Sequence, residues 1–318
     1  MFYLGIDSGG TKTLFTLCDS DGNIVNTHRS GAGYFFSIGE KGIFDLLKDG
    51  FEKCTAGINP DDVYTYCGMT LVGEHQSIDT ALEHIQKKIG FKIEFGNDVM
   101  CAAAGSLMFR PGIHLIAGTG SNAIGFDLDG NSALSGGWGC EIRGDEASAY
   151  YLSIEMLHEF TKQADFRHPR TILYDCVREY FNIKNDFEIC DYLTNKINMD
   201  RETIASHAVL ATQLYQKGDT AIKRIFDNAA FELCQTALSI KNRLNFGETV
   251  DVSYSGGVFK SGEAILTPLE DKLKSNGMTL HKPCAEPVIG AVLLAARSAN
   301  EKNINVMKEK LKYTHEKG

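Results

Sequence analysis

Two turns rich in glycine and threonine each follow an apolar segment, at residues 2–7 and 113–116, and could bind phosphate. The residues of these turns are Gly9, Gly10 and Thr11 in the first, and Gly118, Thr119 and Gly120 in the second. Because glycine has no Cβ atom, backbone N–H groups in such turns can approach anionic oxygens closely. One such turn alone is typical of an ordinary hairpin. Two at equivalent places favour a nucleotide site.

Two aspartates stand where phosphoryl transfer would need a carboxylate. Asp7 ends the first apolar run, where it could hold Mg²⁺ through water. Asp98 follows residues 93–97, a predicted strand, and precedes a helix of small residues predicted at 99–107. It has two interpretations, because aspartate is a preferred helix N-cap and also a general base for a hydroxyl nucleophile.

The one tryptophan of the chain lies in a glycine-rich segment, as Gly137, Trp138 and Gly139. It precedes the acidic pair Asp145 and Glu146, which we expect to start a helix. One interpretation is a core tryptophan beside a capping aspartate. The other is a polyol pocket in which Asp145 accepts hydrogen bonds from sugar hydroxyls near an aromatic face.

Two segments resemble common nucleotide-binding motifs, but neither matches its motif fully. The first turn has the glycine spacing of a Walker A loop, but Thr11 precedes Lys12, where that motif has lysine before serine or threonine. Residues 118–123 imitate a dinucleotide fingerprint. In both places a predicted strand follows, whereas these motifs open a helix.

Hydrophobic periodicity predicts an α/β chain of two related lobes. Strands are predicted at residues 2–7, 14–18, 24–28, 63–69, 93–97, 113–116, 123–128, 250–254 and 278–281. Helices are predicted at residues 42–56, 78–89, 99–107, 146–161, 171–181, 188–196, 203–216, 219–245, from 260 onward, 287–299 and 306–317. The opening strand–turn–strand pattern recurs near residue 113, with an Asp-Gly-Asn corner after each returning strand, which indicates two similar halves.

Composition excludes several classes of function. The 318 residues carry a formal charge of −9, which disfavours a nucleic-acid partner because neutralising phosphates takes clustered Lys and Arg. No apolar stretch approaches the roughly 20 residues that span a bilayer, so we expect no membrane partner. The nine cysteines show no CxxC spacing, which disfavours a zinc site or a disulfide framework and favours buried thiols in a reducing cytoplasm.

Four motifs, taken in order, resemble one family. Residues 5–13, 118–122, 136–146 and 255–257 are similar to those of the BadF/BadG/BcrA/BcrD-type ATPases, in the actin–sugar kinase–Hsp70 superfamily, and within it to N-acetylglucosamine kinases. The similarity in motif order extends from residue 2 to about residue 297. It implies two ribonuclease-H-like lobes around a central ATP cleft. We expect these lobes at residues 1–112, completed by helices at 287–318, and at 113–286 with a helical insertion.

The resemblance also implies roles for individual residues. Asp98 would be the catalytic base. Sugar contacts would come from Tyr34, Ser121, Asn122, Gly137, Trp138, Gly139 and Asp145. ATP contacts would come from both turns, with Lys12, and from Gly218, Gly256, Gly257 and Ser261. Tyr34 stands where those kinases carry a sugar-contacting asparagine, and it could fit a larger amino sugar such as N-acetylmuramic acid.

Together these observations predict an ATP- and Mg²⁺-dependent cytoplasmic kinase that phosphorylates an N-acetylated amino sugar on its 6-hydroxyl. Two alternatives stay open, an activator ATPase of a CoA-ester dehydratase and a non-catalytic sugar sensor. The activator would need a cysteine-ligated iron–sulfur cluster, and the scattered cysteines offer no obvious pair. A repressor-type sensor would need a DNA-binding segment ahead of the first strand. Whether the protein forms a homodimer is left open by the sequence.

Overall fold

The structure, a computed structural model, describes residues 1–312 and divides the chain into two units. Among these residues, the first unit contains Met1–Arg110 and 282–312, and the second is Pro111–His281. The domain boundaries expected from the sequence stay a prediction, and residues 313–318 of the expected C-terminal helices lie outside the described residues.

Within residues 1–312, ten strands and twelve α-helices form the two units. The strands are β1 (Phe2–Ser8), β2 (Thr13–Asp19), β3 (Ile24–Ser30), β4 (Val63–Met69), β5 (Ile93–Asn97), β6 (Gly112–Ala117), β7 (Ser121–Phe126), β8 (Ser132–Gly136), β9 (Val250–Ser255) and β10 (Met278–Leu280). The helices are α1 (Phe35–Cys54), α2 (Gln76–Lys88), α3 (Asp98–Leu107), α4 (Ala149–Ala164), α5 (Ile172–Phe181), α6 (Glu188–Asp191), α7 (Arg201–Ser206), α8 (Ala208–Gln216), α9 (Thr220–Lys241), α10 (Glu263–Lys274), α11 (Pro287–Ser298) and α12 (Ile304–Leu311).

The two sheets have the same topology. The first has the order β3-β2-β1-β4-β5, and the second, in the same direction, β8-β7-β6-β9-β10. In each, the first strand pairs antiparallel with the second and parallel with the fourth. A glycine-rich turn joins the antiparallel pair in both, so the weak internal similarity of the sequence reflects a repeated fold. The prediction of a two-lobed α/β protein is confirmed.

Helices cover both faces of the first sheet, which explains why β1 is almost continuously apolar. On one face, Leu4 and Ile6 pack with Leu47 of α1 and Ile78 of α2. On the other face, Tyr3 packs against α11. In the second unit a single apolar core joins the sheet to α4, α9 and α10.

Glycines let α11 approach its neighbours at backbone distance. A Cβ atom on Gly290 would lie 1.8 Å from the carbonyl oxygen of Cys101 in α3. A Cβ atom on Gly105 of α3 would lie 2.6 Å from the Glu286 carbonyl oxygen, and one on Gly5 of β1 would lie 2.4 Å from the Val288 oxygen. The positions of α3, α11 and β1 are therefore fixed against one another.

Two predicted helices were wrong in detail, and one strand was not predicted. The helix expected at 203–216 is two helices, α7 and α8, separated at His207. The acidic pair does not start α4, because Ala147 adopts φ 65° and the helix begins two residues later, at Ala149. Strand β8 was not predicted, since its short, serine-rich edge segment carries little apolar signal. Among the described residues, no helix is long and apolar enough to cross a membrane.

The close approach of α11 and α3 predicts an unusual effect of Gly290→Ala. In most helix interiors, replacing glycine with alanine stabilises the helix by roughly 1 kcal/mol. Here we expect it to lower the Tm by roughly 5–10 °C, because the new methyl group would push the helices apart. Thermal unfolding followed by circular dichroism checks this. Gly31→Ala is the control, since its Cβ atom would meet nothing within 4 Å; an unchanged or higher Tm for Gly290→Ala would contradict the packing.

Candidate functional site

The first glycine turn joins β1 to β2 and has a closed base and an exposed tip. At its base, the Gly9 amide donates to the Lys12 carbonyl at 3.0 Å, and the Gly9 carbonyl accepts from the Gly33 amide at 3.0 Å. A Cβ atom on Gly33 would lie 1.9 Å from the Ser8 hydroxyl, so the turn packs directly on the segment before α1. At its tip, Gly10, Thr11 and Lys12 are exposed. The hairpin thus presents these three predicted phosphate ligands to solvent.

Asp98 is the first residue of α3, and it does not cap the helix. That role belongs to Asn97, whose Oδ1 accepts the Val99 amide at 3.1 Å. The Asn97 amide group donates to Glu74 Oε1 at 2.8 Å and to the Val72 carbonyl at 3.1 Å, which fixes the start of the helix. The interpretation of Asp98 as the N-cap is therefore wrong, although its carboxylate still accepts backbone amides in the first turn of α3.

Asp7 and Asp98 form a partly buried acidic pair. Burial is the main cause that raises the pKa of Asp98 to about 6; the nearby Glu74 adds to the rise, and hydrogen bonds from backbone amides oppose it. Burial, followed by repulsion from Asp98, raises the pKa of Asp7 to about 6; Lys12 opposes this shift and Glu286 adds to it. The first unit therefore concentrates negative charge below its glycine turn.

This acidic pair is suited to one hard cation. Among residues 1–312, no group of three or more His, Cys, Asp or Glu side chains is arranged to hold a metal ion. A Mg²⁺ ion would therefore take most of its ligands from water and phosphate oxygens, as it commonly does in nucleotide sites. A cation beside Asp7 would also offset the burial and the repulsion from Asp98 that together raise the pKa of Asp7. The residues present fit Mg²⁺ held at Asp7.

Tyr34 belongs to an aromatic group at the start of α1. It occupies the N-cap position without forming a side-chain cap, and its ring lies 5.8 Å from that of Phe36. Phe36 is 55% exposed, and its ring lies 5.7 Å from the His75 ring. His75 follows Glu74, the partner of Asn97, so this aromatic group lies near the acidic pair of the same unit.

The second glycine turn joins β6 to β7 and is supported by the N-terminus of α4. The Gly118 amide donates to the Gly120 carbonyl at 2.8 Å. The carbonyls of Gly118 and Thr119 accept from the amides of Ala149, at 2.8 Å, and Tyr150, at 3.4 Å. The first amides of α4 therefore hold the turn rather than an anion, while Thr119 is exposed at its tip.

Asp145 lies beside this turn and is 4% exposed. Its Oδ1 accepts the Ser121 amide at 3.3 Å, and its Oδ2 contacts the guanidinium of Arg201. It does not cap α4, because Ser148 accepts the Tyr151 amide at 3.0 Å. The capping interpretation of Asp145 is wrong, as is that of Asp98.

Asn122 and the tryptophan loop lie together. The side-chain oxygen of Asn122 is buried and has no hydrogen-bond partner among the described residues. A Cβ atom on Gly137 would lie 3.3 Å from the Asn122 Cβ atom, and both Gly137 and Gly139 have positive φ, of 77° and 92°. Trp138 is 76% exposed, so the core-tryptophan interpretation is wrong. A buried, unpartnered amide oxygen needs a donor, and a ligand could supply it.

Among the predicted nucleoside contacts, Gly256 lies next to the second glycine turn. With φ 111°, it passes so close to β6 that a Cβ atom would lie 2.3 Å from the Ala117 carbonyl oxygen. Gly257 and Ser261 follow in a 3₁₀ helix, and the Ser261 hydroxyl lies 2.8 Å from that of Thr212 in α8. Gly218 has φ 85° and lies beyond the C-terminal end of α8.

Sequence reasoning missed Asn97, Glu74, Glu286 and Arg201. Asn97 and Asp98 are adjacent residues that could each cap a helix, and only the backbone geometry shows which one does. Arg201 is separated from Asp145 by 56 positions. Asp200 is a recognisable helix cap, but nothing in the sequence links the residue after it to a carboxylate so distant.

Comparisons with known proteins show the family to which the chain belongs. The sequence model described as the BadF/BadG/BcrA/BcrD ATPase family matches residues 4–295. An N-acetylmuramic acid/N-acetylglucosamine kinase of Clostridium acetobutylicum is 28% identical over 267 residues, which are 82% of this chain and 86% of that protein. An N-acetyl-D-glucosamine kinase of Dictyostelium discoideum is 27% identical over 314 residues, 93% of this chain and 98% of that protein.

Solved structures share the fold. A provisionally named N-acetylglucosamine kinase of Chromobacterium violaceum superposes with a TM-score of 0.73 at 22% identity, over 92% of this chain and 98% of that one. A ROK family glucokinase of Streptomyces griseus, in complex with glucose and AMPPNP, gives a TM-score of 0.56 at 18% identity, over 95% of this chain and 100% of that one.

Proposed function

This chain belongs to the BadF/BadG/BcrA/BcrD ATPase family, and we propose that it is an ATP-dependent kinase that phosphorylates an N-acetylated amino sugar. The observation that carries the proposal is the environment of Asp98. Asn97 caps the helix in its place, and the Asp98 carboxylate is partly buried, with its pKa raised to about 6. Transfer of a phosphoryl group to an alcohol needs one such base, and a base whose pKa lies near the working pH is the most effective.

In this mechanism, Asp98 accepts the proton of the attacking sugar hydroxyl. Burial favours its neutral form, which makes the carboxylate a better base than an exposed aspartate while leaving it ionised above about pH 7. No covalent intermediate on the protein is required, because the transferred group passes directly between oxygens.

The glycine turns would bind the phosphates of ATP. Gly9, Gly10, Thr11 and Lys12 are proposed for the first turn, and Gly118, Thr119 and Gly120 for the second. The exposed tips of both turns support this assignment. Mg²⁺ bound near Asp7 would neutralise charge on the phosphates. Gly218, Gly256, Gly257 and Ser261 are proposed nucleoside contacts.

The proposed sugar contacts include Asp145, Ser121 and Asn122, together with Gly137, Trp138, Gly139 and Tyr34. The buried, unpartnered oxygen of Asn122 and the exposed face of Trp138 support a ligand there. A neutral sugar needs hydrogen-bond acceptors and an apolar face of this kind.

We propose N-acetylglucosamine and N-acetylmuramic acid as substrates, with transfer to the 6-hydroxyl. The names of the Clostridium and Dictyostelium relatives support this substrate class. The aromatic group of Tyr34, Phe36 and His75 offers an exposed surface for a bulky substituent. We propose a cytoplasmic enzyme, and a dimer is not needed by this mechanism.

A panel of sugars tests the substrate class. Purified protein with ATP and Mg²⁺ should release ADP with N-acetylglucosamine and N-acetylmuramic acid, and far more slowly with glucose or without sugar. A coupled ADP assay measures this, and NMR of the product identifies the phosphorylated hydroxyl. ADP release that is equal with and without sugar would contradict the proposal and favour an activator ATPase.

Replacing Asp98 tests the base. We expect Asp98→Asn to lower kcat by about 10²–10⁴-fold and to leave the KM for ATP nearly unchanged. In the wild type, kcat/KM should rise with pH through about 6, because only ionised Asp98 accepts the proton. Steady-state kinetics from pH 5 to 9 check both.

The matched control for this experiment is Asp175→Asn, which removes an exposed carboxylate from the first turn of α5 and should keep full activity. An Asp98→Asn enzyme within tenfold of wild type would show that another group accepts the proton.

A further inference from the structure

Arg201 connects the helical region of the second unit to the candidate sugar contacts. It is the first residue of α7, and its guanidinium contacts the Asp145 carboxylate. The Asp145 side chain is 5% exposed, whereas that of Arg201 is 44% exposed. A buried carboxylate of this kind depends on a counter-charge, because burial without a partner disfavours its ionised form.

The contact belongs to a packed group that includes the second glycine turn. A Cβ atom on Gly120 would lie 2.4 Å from Arg201 Nη2 and 2.9 Å from Asp145 Oδ1. The Ser121 amide, at the next position, donates to Asp145 Oδ1 at 3.3 Å. The guanidinium, the carboxylate and the turn therefore determine one another's positions.

Other titratable groups lie close enough to Arg201 for its charge to act on them. Burial raises the pKa of the Cys140 thiol, Arg201 opposes that rise, and Glu141 and Asp145 add to it. Burial raises the pKa of Tyr150, Cys140 and Glu141 add to the rise, and Arg201 opposes it. Arg201 thus supplies positive charge close to the carboxylates of Asp145 and Glu141, while Cys140 and Tyr150 stay neutral.

We propose that Arg201 is a positioning residue that orients Asp145 to accept hydrogen bonds from sugar hydroxyls. With Arg201 at Oδ2 and the Ser121 amide at Oδ1, the plane of the carboxylate is fixed. Each carboxylate oxygen still has a lone pair that can accept a hydroxyl. This inference rests on the proposed function and adds to it a residue of the helical region that determines sugar affinity but not proton transfer.

Two substitutions test the proposal. Arg201→Met should raise the KM for the sugar by about 10- to 100-fold, since it removes a hydrogen bond between charged groups. The value of kcat and the KM for ATP should stay within about threefold of wild type. Arg201→Lys keeps the charge but loses the planar fork, so its sugar KM should lie between those of Arg201→Met and wild type.

A matched control separates positioning from general destabilisation. Arg224 contacts Glu159 at 2.9 Å, and the two side chains are 56% and 6% exposed, which resembles the exposures of the Arg201–Asp145 pair, while Glu159 also contacts His168. Glu159 lies on α4 and Arg224 on α9, and neither is a proposed ligand. Arg224→Met should leave the sugar KM unchanged.

The outcomes distinguish this proposal from the proposed function. A sugar KM for Arg201→Met that equals or falls below that of wild type would overturn the positioning role, even if the enzyme is an active sugar kinase. If wild type phosphorylates no sugar, the proposed function fails, and a substrate-free test of the contact remains. In that test the Tm of the double variant Arg201→Met/Asp145→Asn should be no lower than the Tm of the less stable single variant. Additive decreases in Tm would overturn the pairing itself.

Discussion

Backbone contact between α11, α3 and β1 determines where the chemically active groups of the first unit lie. Gly290, Gly105 and Gly5 each leave space that a methyl group would fill, so the three elements meet with almost no side chain between them. This contact fixes α3, whose first residue is Asp98, in the unit where β1 carries Asp7. The two carboxylates consequently share partly buried surroundings in which they repel each other.

Burying two carboxylates together lowers the stability of the folded protein, but it raises their pKa values toward neutral pH. Folding moves Asp7 and Asp98 from water into surroundings where the pKa of each is about 6, above the ordinary value of about 4. A raised pKa in the folded state stabilises the protein only at acid pH, and this stabilisation is lost as the pH rises through about 6. At neutral pH both ionised groups therefore reduce stability, and a bound cation would offset part of that cost.

Part of the site could be predicted from the sequence, because glycine and threonine between two apolar segments are typical of a tight turn. Two turns with glycines and threonine at equivalent places indicated a repeated hairpin, and the repeated sheet topology confirms that prediction. The sequence could not decide between Asn97 and Asp98 as a helix cap, because both side chains can accept an amide. Trp138 looked equally suited to a core, but in the structure it lies between two glycines of positive φ and its side chain is exposed. The contact of Arg201 with Asp145 depends on the tertiary placement of α7, which local periodicity does not encode.

Direct titration of the two carboxylates is the most decisive measurement. Carboxyl ¹³C NMR of aspartate-labelled protein, with Asp7→Asn and Asp98→Asn used for assignment, would follow both groups between pH 3 and 9. We expect both to titrate near pH 6, and the midpoint of Asp7 to fall when Asp98 is replaced or when Mg²⁺ and an ATP analogue bind. Two carboxyls that titrate near pH 4, unaffected by each other and by the nucleotide, would show that the first unit holds no coupled acidic site.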